Sequence, residues 1–316
     1  MRPEVIVIGA AIADIPLSPV GPGVFTAHST ELERIRMQVG GDAANEALVL
    51  SRLGHTPALV SVLGRDAIGD FVLRTLEDGG VDTSGVCRSE EMDTGVNVVL
   101  VREDGERTFV TSRAGSLRRL GLSHILPALE SPALSSARIA CLASLFVSPA
   151  LTLSDTVTLF DALKVKGLAL CADTTKRKRG ETLKEAGEAL SRLDWFFPNR
   201  DEAALLTGRE TPDAIADALL EVGIKHVALK LGGEGCLVKS ADERHLIPAC
   251  PGVKCVDTTG AGDTFAGAFI AGLLEGRSIA ECGRFANAAA ALCVGQVGAV
   301  GKWTRAEAEK RLAGMD

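Results

Sequence analysis

The sequence predicts an α/β fold, a mostly parallel central sheet covered by helices on both faces to give three layers. Two observations carry the prediction. Short apolar runs rich in β-branched residues recur at 5–8, 58–63, 139–142, 168–172, 195–197 and 227–231. Runs with no polar alternation belong to strands buried on both faces. Between them lie amphipathic, Ala/Leu-rich stretches at 43–53, 67–78, 151–163, 182–193 and 212–222. Strands and helices alternating in this way form βαβ units, whose crossovers cover both faces of a parallel sheet.

The first strand is Val5-Ile6-Val7-Ile8, closed by Gly9. Residues 20–39 then leave the pattern, because Gly21-Pro22-Gly23 and the stretches 25–28 and 34–39 are too polar and irregular for a core strand. The regular alternation resumes through residue 78 and breaks again at 95–111. There an apolar run from Gly95 is followed by Glu103-Asp104-Gly105-Glu106 and then Arg107-Thr108-Phe109-Val110-Thr111. An Asp-Gly turn between two apolar-rich runs signals a hairpin. The two excursions predict a small antiparallel sheet projecting from the main body, either a lid over a site or a decorated sheet edge. From 139 to 231 strands and helices alternate once more. The last third is mostly helical, at 261–275 and 279–294, with a polar helix from about 304 to 312. No internal repeat or low-complexity linker interrupts the chain. Residues 1–316 are therefore expected to form one domain, with lid segments at about 20–39 and 95–111 inserted in it.

Composition removes several function classes. The 316 residues are 46% hydrophobic and 24% charged, a globular balance in a chain long enough to bury a core without disulfide or metal staples. With 34 basic and 41 acidic side chains the net charge is −7, which argues against nucleic acid or an anionic membrane as the main partner. Aromatic residues make up 4% and Tyr is absent, so stacking platforms for single-stranded nucleic acid are missing. A local pocket for a phosphorylated ligand remains compatible with that charge. The eight cysteines are scattered without C-x-x-C spacing, and Cys250 and Cys255 have no second pair to complete a tetrahedral site. Reduced, buried thiols in a cytoplasmic protein are expected. The run 5–8 is too short for a signal-peptide core or a membrane span, and no other stretch reaches span length unbroken.

The most informative stretch is Val256-Asp257-Thr258-Thr259-Gly260-Ala261-Gly262-Asp263-Thr264-Phe265. A Gly-rich turn opens directly into a helix of small residues. Glycines let the backbone approach a ligand, and first-turn N–H groups make an anion site suited to a transferring phosphoryl group. Asp263 in that first turn is favoured by the helix dipole and expected to stay ionised at neutral pH. A carboxylate beside an anion hole repels phosphate, so it needs a purpose. Taking a proton from an attacking hydroxyl supplies one. A capping Asp after a Gly turn would account for Asp263 alone but not for the whole run.

Residues 257–269 resemble the C-terminal signature of the ribokinase family, the phosphofructokinase-B type carbohydrate kinases. Gly40-Gly41-Asp42-Ala43-Ala44-Asn45-Glu46-Ala47 resembles the N-terminal signature. The resemblance covers essentially the whole chain in order and spacing. It implies a ribokinase-like three-layer α/β/α sandwich with a small β-sheet lid, and ATP-dependent phosphorylation of a sugar or sugar-like hydroxyl with Mg²⁺. Asp263 would be the catalytic base, and the amides of Gly260, Ala261 and Gly262 the anion hole.

Other pieces fit the same frame. Asp14 lies just beyond the carboxyl end of the first strand, where open α/β sheets bind ligands, and the resemblance gives it two sugar hydroxyls. Gly41 would allow close backbone approach, and Asn45 an amide that both donates and accepts. Asn199-Arg200-Asp201-Glu202 matches an element that organises Mg²⁺ and its waters, with Glu202 acting through water; it reads equally as an N-cap with acids in the first turn. Lys230, Gly232 and Gly235 end a strand in a Gly-rich turn that either borders the nucleotide or is a plain hairpin. Asn287 matches a residue lining the adenine pocket. Arg177 matches an arginine aimed at phosphate, or belongs to an exposed basic loop. No Gly-x-Gly-x-x-Gly is present, which sets aside a nicotinamide-dependent dehydrogenase.

The sequence also departs from its relatives. Where ribokinases carry a sugar-binding glutamate, it reads Ala143-Ser144-Leu145-Phe146, which weakens ribose as the substrate. A nucleoside kinase stays open, with Phe25, Phe109 or Phe146 against the base, as does a non-catalytic sugar-binding regulator on the same fold. The family often pairs its lids between subunits, so a homodimer is expected. It also often holds a monovalent cation behind the anion hole, here at Asp257 and Thr259. Lys302 stands where ribokinases place a small hydroxyl residue. An ammonium there either pairs with Asp257, which would weaken dependence on K⁺, or points into water.

Overall fold

The structure, a computed structural model, describes residues 2–103, 106–175 and 180–315. The chain begins with β1 (Val5–Ile8), β2 (Ile12–Ser18), β3 (Arg34–Ile35), β4 (Gln38–Gly40) and α1 (Asp42–Arg52). It continues with β5 (Pro57–Gly64), α2 (Ala67–Asp78), β6 (Asp82–Ser89), β7 (Val96–Val101), β8 (Arg107–Thr111) and α3 (Leu122–Leu129). Next come β9 (Ile139–Leu145), α4 (Leu153–Val165), β10 (Ala169–Thr174), α5 (Leu183–Leu190), β11 (Trp195–Phe197), α6 (Arg200–Thr207) and α7 (Pro212–Glu221). The chain ends with β12 (His226–Lys230), β13 (Cys236–Ser240), β14 (Arg244–Ile247), α8 (Ala261–Leu274), α9 (Ile279–Val294) and α10 (Arg305–Leu312).

The main sheet has nine strands in the order β14-β13-β12-β11-β10-β9-β1-β5-β6, parallel from β12 through β6 and antiparallel only at β13 and β14. β1 shows why its sequence is apolar throughout. Val5 and Val7 enter one core with helices α1, α2, α8, α9 and α10, while Ile6 and Ile8 enter the other with α3 to α7. A strand between two helical layers has no solvent face on which to place a polar residue. The six expected core runs all form strands, and the expected helices all form. Local chemistry fixes their starts: Asp66 accepts from Gly69 N–H at 2.7 Å ahead of α2, and Ser278 with Glu281 closes a capping box on α9. Among the described residues no helix is long and apolar enough to cross a membrane.

The lid differs from expectation. It is a five-stranded sheet, ordered β3-β2-β7-β8 with β4 also on β2, and it is mixed rather than antiparallel because β2 runs parallel to β7. β2, which lies outside both expected lid segments, is its spine. The β7–β8 hairpin forms, with Val101 opposite Arg107; its Asp104-Gly105 turn lies outside the described residues. Also unforeseen were the polar edge strand β6, strand β14 and the short helix α3.

Two features position the site. The carboxyl ends of β1, β10, β11 and β12 lie along one edge of the sheet, where such folds bind ligands. On that edge α1 and α8 approach closely at Gly267, where a Cβ would stand 3.0 Å from Val49 Cγ1 and 3.2 Å from Glu46 O. One turn earlier on each helix, the same packing brings Asn45 onto Asp263.

Candidate active site

The turn before α8 is built around Asp257. Its Oδ1 accepts from Thr259 N–H at 2.9 Å and Thr259 Oγ1 at 2.6 Å, and its Oδ2 accepts from Gly298 N–H at 3.0 Å. Burial works against the charge. The bonds from Thr259 and Gly298, with the Arg107 guanidinium, nevertheless hold this carboxyl below its ordinary range. Gly260 follows at φ +70°, and a Cβ on it would lie 1.8 Å from Ala299 O, so only glycine fits. Gly260 and Gly262 are partly exposed at the helix start, while Ala261 N–H also leans on Thr258 O at 3.3 Å.

The cation that meets Asp257 is not Lys302. Lys302 is exposed, and its backbone N–H donates to Gln296 Oε1 at 2.6 Å. Arg107 of the lid takes the place, with Nη1 3.0 Å from Asp257 Oδ1 and Nη2 donating to Thr258 Oγ1 at 2.8 Å. Buried Trp303 turns its ring toward Arg52, 5.1 Å away, and this leaves Lys302 on the outside.

Asp263 Oδ2 accepts from Asn45 Nδ2 at 2.7 Å. Burial, then the neighbouring Asp42 and Asp173 carboxylates, pushes its carboxyl well above the ordinary range, against the Asn45 bond and Lys230. The helix dipole alone suggested the opposite. Desolvation among like charges outweighs it. Glu46, one residue past Asn45, is fully buried with both oxygens unpartnered among the described residues, and the same causes push it up.

Lys230 lies deeper than a nucleotide-edge residue was expected to lie. Its Nζ sits between Asp173 Oδ1 and Oδ2, at 2.8 and 2.7 Å, and 3.2 Å from where a Cβ on Gly262 would stand. The pair is buried, and Asp173 holds Lys230 protonated against the desolvation. This role of Asp173 was not foreseen; its one signal was a lone carboxylate at the end of a buried strand. Asn199 and Glu202 form the capping box of α6, with Glu202 N–H donating to Asn199 Oδ1 at 2.9 Å. Burial pushes the Glu202 carboxyl up to about 7, with Lys230 pulling down and Asp173 pushing up. The cap and the exposure to the charged cluster are therefore both real.

Three residues expected at the nucleotide also have roles in the fold. Gly232 at φ +60° begins the tight connection between antiparallel β12 and β13, which makes this segment a hairpin. A Cβ on Gly235 would lie 2.1 Å from Ile247 O. The buried Asn287 donates to Pro248 O at 3.0 Å and Ile247 O at 3.4 Å, so its amide fastens the end of β14. Arg177 lies outside the described residues.

On the lid side, Asp14 belongs to β2, opposite Gln38 and Asn97. Its Oδ1 accepts from Asn97 Nδ2 at 3.1 Å, and burial pushes the carboxyl up to about 6. Asn97, which was not foreseen, keeps a buried Oδ1 without a partner among the described residues, as does Asn45. Gly41 is at φ +95°, and a Cβ on it would lie 2.4 Å from Ala10 O. Ser144 and Phe146 are left-handed, at φ 60° and 76°, and Ser144 Oγ donates to Asp42. Strain at non-glycine residues clusters at functional sites. Phe146 is buried in the core and Phe25 is 77% exposed, leaving Phe109 as the one of the three that lines the large cavity between the lid and the Asp257 turn.

The arrangement joins a carboxylate of raised proton affinity, an amide-rich helix start and a buried ammonium, next to a cavity lined by the Asp257–Thr259 turn. Comparison with known proteins agrees with that chemistry. The model of the pfkB family of carbohydrate kinases matches residues 2–305. The chain is 32% identical over 276 residues to a 2-dehydro-3-deoxygluconokinase of Bacillus subtilis, covering 84% of this chain and 83% of that protein. An Arabidopsis thaliana ribokinase complexed with ribose and ATP superposes with a TM-score of 0.82 at 29% identity, covering 99% of both chains. An E. coli chain solved in complex with ATP and Mg²⁺ gives 0.84 at 26% identity, covering 98% of this chain and 99% of that one. Spanning almost the entire sequence, the family match places this chain in the pfkB family of carbohydrate kinases.

Proposed function

We propose that the protein transfers the γ-phosphoryl group of ATP to a hydroxyl of a sugar or sugar-like alcohol, with Asp263 as general base. The observation that carries the assignment is the contact of Asp263 with Asn45 at the start of α8, beside Lys230. Asn45 orients one carboxylate oxygen and leaves the other for the substrate hydroxyl. The proton affinity raised by burial suits a group that must accept a proton near neutral pH. Asp14, Gly41 and Asn45 hold the substrate, and the unpartnered Asn45 Oδ1 and Asn97 Oδ1 can accept from its hydroxyls. The amides around Gly260–Gly262 and the Lys230 ammonium meet charge on the phosphoryl group as it transfers in line.

The cluster also fits Mg²⁺. Among the described residues no three acidic side chains are arranged to hold an ion by themselves, but Asp42, Asp173, Glu202 and Asp263 repel one another electrostatically with Lys230 as the cation among them, so negative charge is in excess before nucleotide binds. Glu202 would hold the ion through water, as suits a metal that keeps much of its hydration. When bound, Mg²⁺ neutralises phosphate oxygens. At Asp257 and Thr259, where the resemblance places a monovalent cation, Arg107 already supplies the countercharge.

ADP release measured across neutral sugars, sugar acids and nucleosides tests the assignment. Turnover that depends on one polyol class is expected. ADP release that no acceptor stimulates would overturn it. The nucleoside arm is kept because Phe109 lines the cavity and is 54% exposed.

A second copy of the chain is the proposed partner. Ile35, Met37 and Val110 of the lid are 59%, 42% and 54% exposed, an apolar outer face that lid-to-lid packing would cover. Light scattering at micromolar concentration is expected to give twice the chain mass. A monomer with and without sugar would exclude the pairing.

A further inference from the structure

We propose that the acceptor sugar carries an anionic group, a carboxylate, phosphate or sulfonate, held by Arg34 and Arg36 of the lid. The proposal rests on the kinase assignment above and narrows its substrate class. Its basis is a row of side chains in the lid. β2 pairs antiparallel with β4 and β3 in one continuous register, Asp14 opposite Gln38, Leu17 opposite Ile35 and Ser18 opposite Arg34. Arg34, Arg36 and Gln38 occupy alternate positions and therefore share a face, and all three line the cavity with Asp14. Ile35 and Met37 take the other face.

Charge sets these two arginines apart from the rest of the cavity wall. Arg107 is engaged by Asp257 and Thr258, and Arg102 by Glu106. Among the described residues Arg34 and Arg36 make no ion pair or side-chain hydrogen bond. In a chain of net charge −7, two uncompensated guanidinium groups in the cavity that Asp14 lines run against the overall balance. Guanidinium forks match carboxylate and phosphate oxygens two at a time. Along the strand, Arg36 stands two residues from Gln38 and so roughly 7 Å beyond the level of Asp14, about the reach of a six-carbon chain whose hydroxyls Asp14 holds. The competing account is that β3, at the lid edge, carries charge only to discourage strand pairing.

The two accounts separate by calorimetric titration without nucleotide. D-gluconate, 2-dehydro-3-deoxy-D-gluconate, fructose 6-phosphate and a sulfonated hexose are compared with D-fructose and D-ribose. At least one anionic probe is expected to bind tenfold or more tightly than the neutral sugars, and to do so less tightly as salt rises. In the Arg34→Gln/Arg36→Gln protein the anionic-to-neutral affinity ratio should fall at least tenfold, with Arg36→Lys keeping part of it. Circular dichroism checks that the variants fold. Neutral sugars binding best, or a ratio unchanged in the double variant with only solubility or oligomeric state altered, would overturn the proposal. Tight anionic binding without ADP release would instead count against the kinase assignment alone.

Discussion

Asp263→Asn is expected to fold normally and lose roughly 10²–10⁴-fold in kcat, the usual worth of a general base. Asparagine keeps the size of the side chain and its place beside Asn45, but it cannot take the proton. The pH profile adds a second readout. Because burial raises the proton affinity of Asp263, wild-type kcat/KM should climb as pH rises and the carboxyl ionises, and the variant should lose that rise. Stability should move the other way. A carboxyl that binds its proton more tightly in the folded state stabilises the fold at low pH and loses that contribution as pH rises through the folded value. At pH 8 the variant should therefore melt at or above the wild-type temperature, a cost of catalytic burial removed together with the activity. Near-wild-type turnover would take Asp263 out of the mechanism.

Gly260→Ala should be nearly as damaging for a different reason. A methyl group there lies 1.8 Å from Ala299 O, so the start of α8 or the segment around Ala299 must move, and the amides move with it. Loss of aligned donors is expected to cost about 10²–10³-fold in kcat. The control is Gly276→Ala, at φ +73° with nothing within 4 Å. It carries the same left-handed strain, about 1–2 kcal/mol, without the collision. The two variants should melt within a few degrees of each other if Gly260 yields by shifting the loop, yet only Gly260→Ala should lose turnover. Equal activities would show that the geometry of this turn does not set the rate.

How much of this was legible in the sequence depended on whether the signal was local. Val5–Ile8 could be read because a strand between two helical layers admits no polar residue. Asp263 and Gly260 could be read because the chemistry of a helix start is written in consecutive residues. The Asp173–Lys230 pair joins residues 57 apart, and Arg107 reaches Thr258 across 151. Neither has a spacing pattern that periodicity could reveal. Charge alone left Lys302 either paired with Asp257 or pointing into water, and the burial of Trp303 next to it accompanies the second. The fold roles of Gly235 and Asn287 could not be read, because residues that fasten backbone to backbone are of the same types as residues that meet a ligand. β6 was hidden by its position at a sheet edge, where polar residues are favoured.

The Arg107 contact has a consequence for timing. This arginine rides on β8, the outermost strand of the lid, while Asp257 and Thr258 belong to the turn that sets Gly260. Any opening of the lid would part the two, leaving Asp257 without its counterion and the turn without its outer fastening. The lid and the turn proposed to bind the phosphoryl group would then act as an interlock, with the turn fully braced only when the chamber is shut. An enzyme wired in this way assembles its donors when water is excluded, and so guards ATP against hydrolysis between sugars.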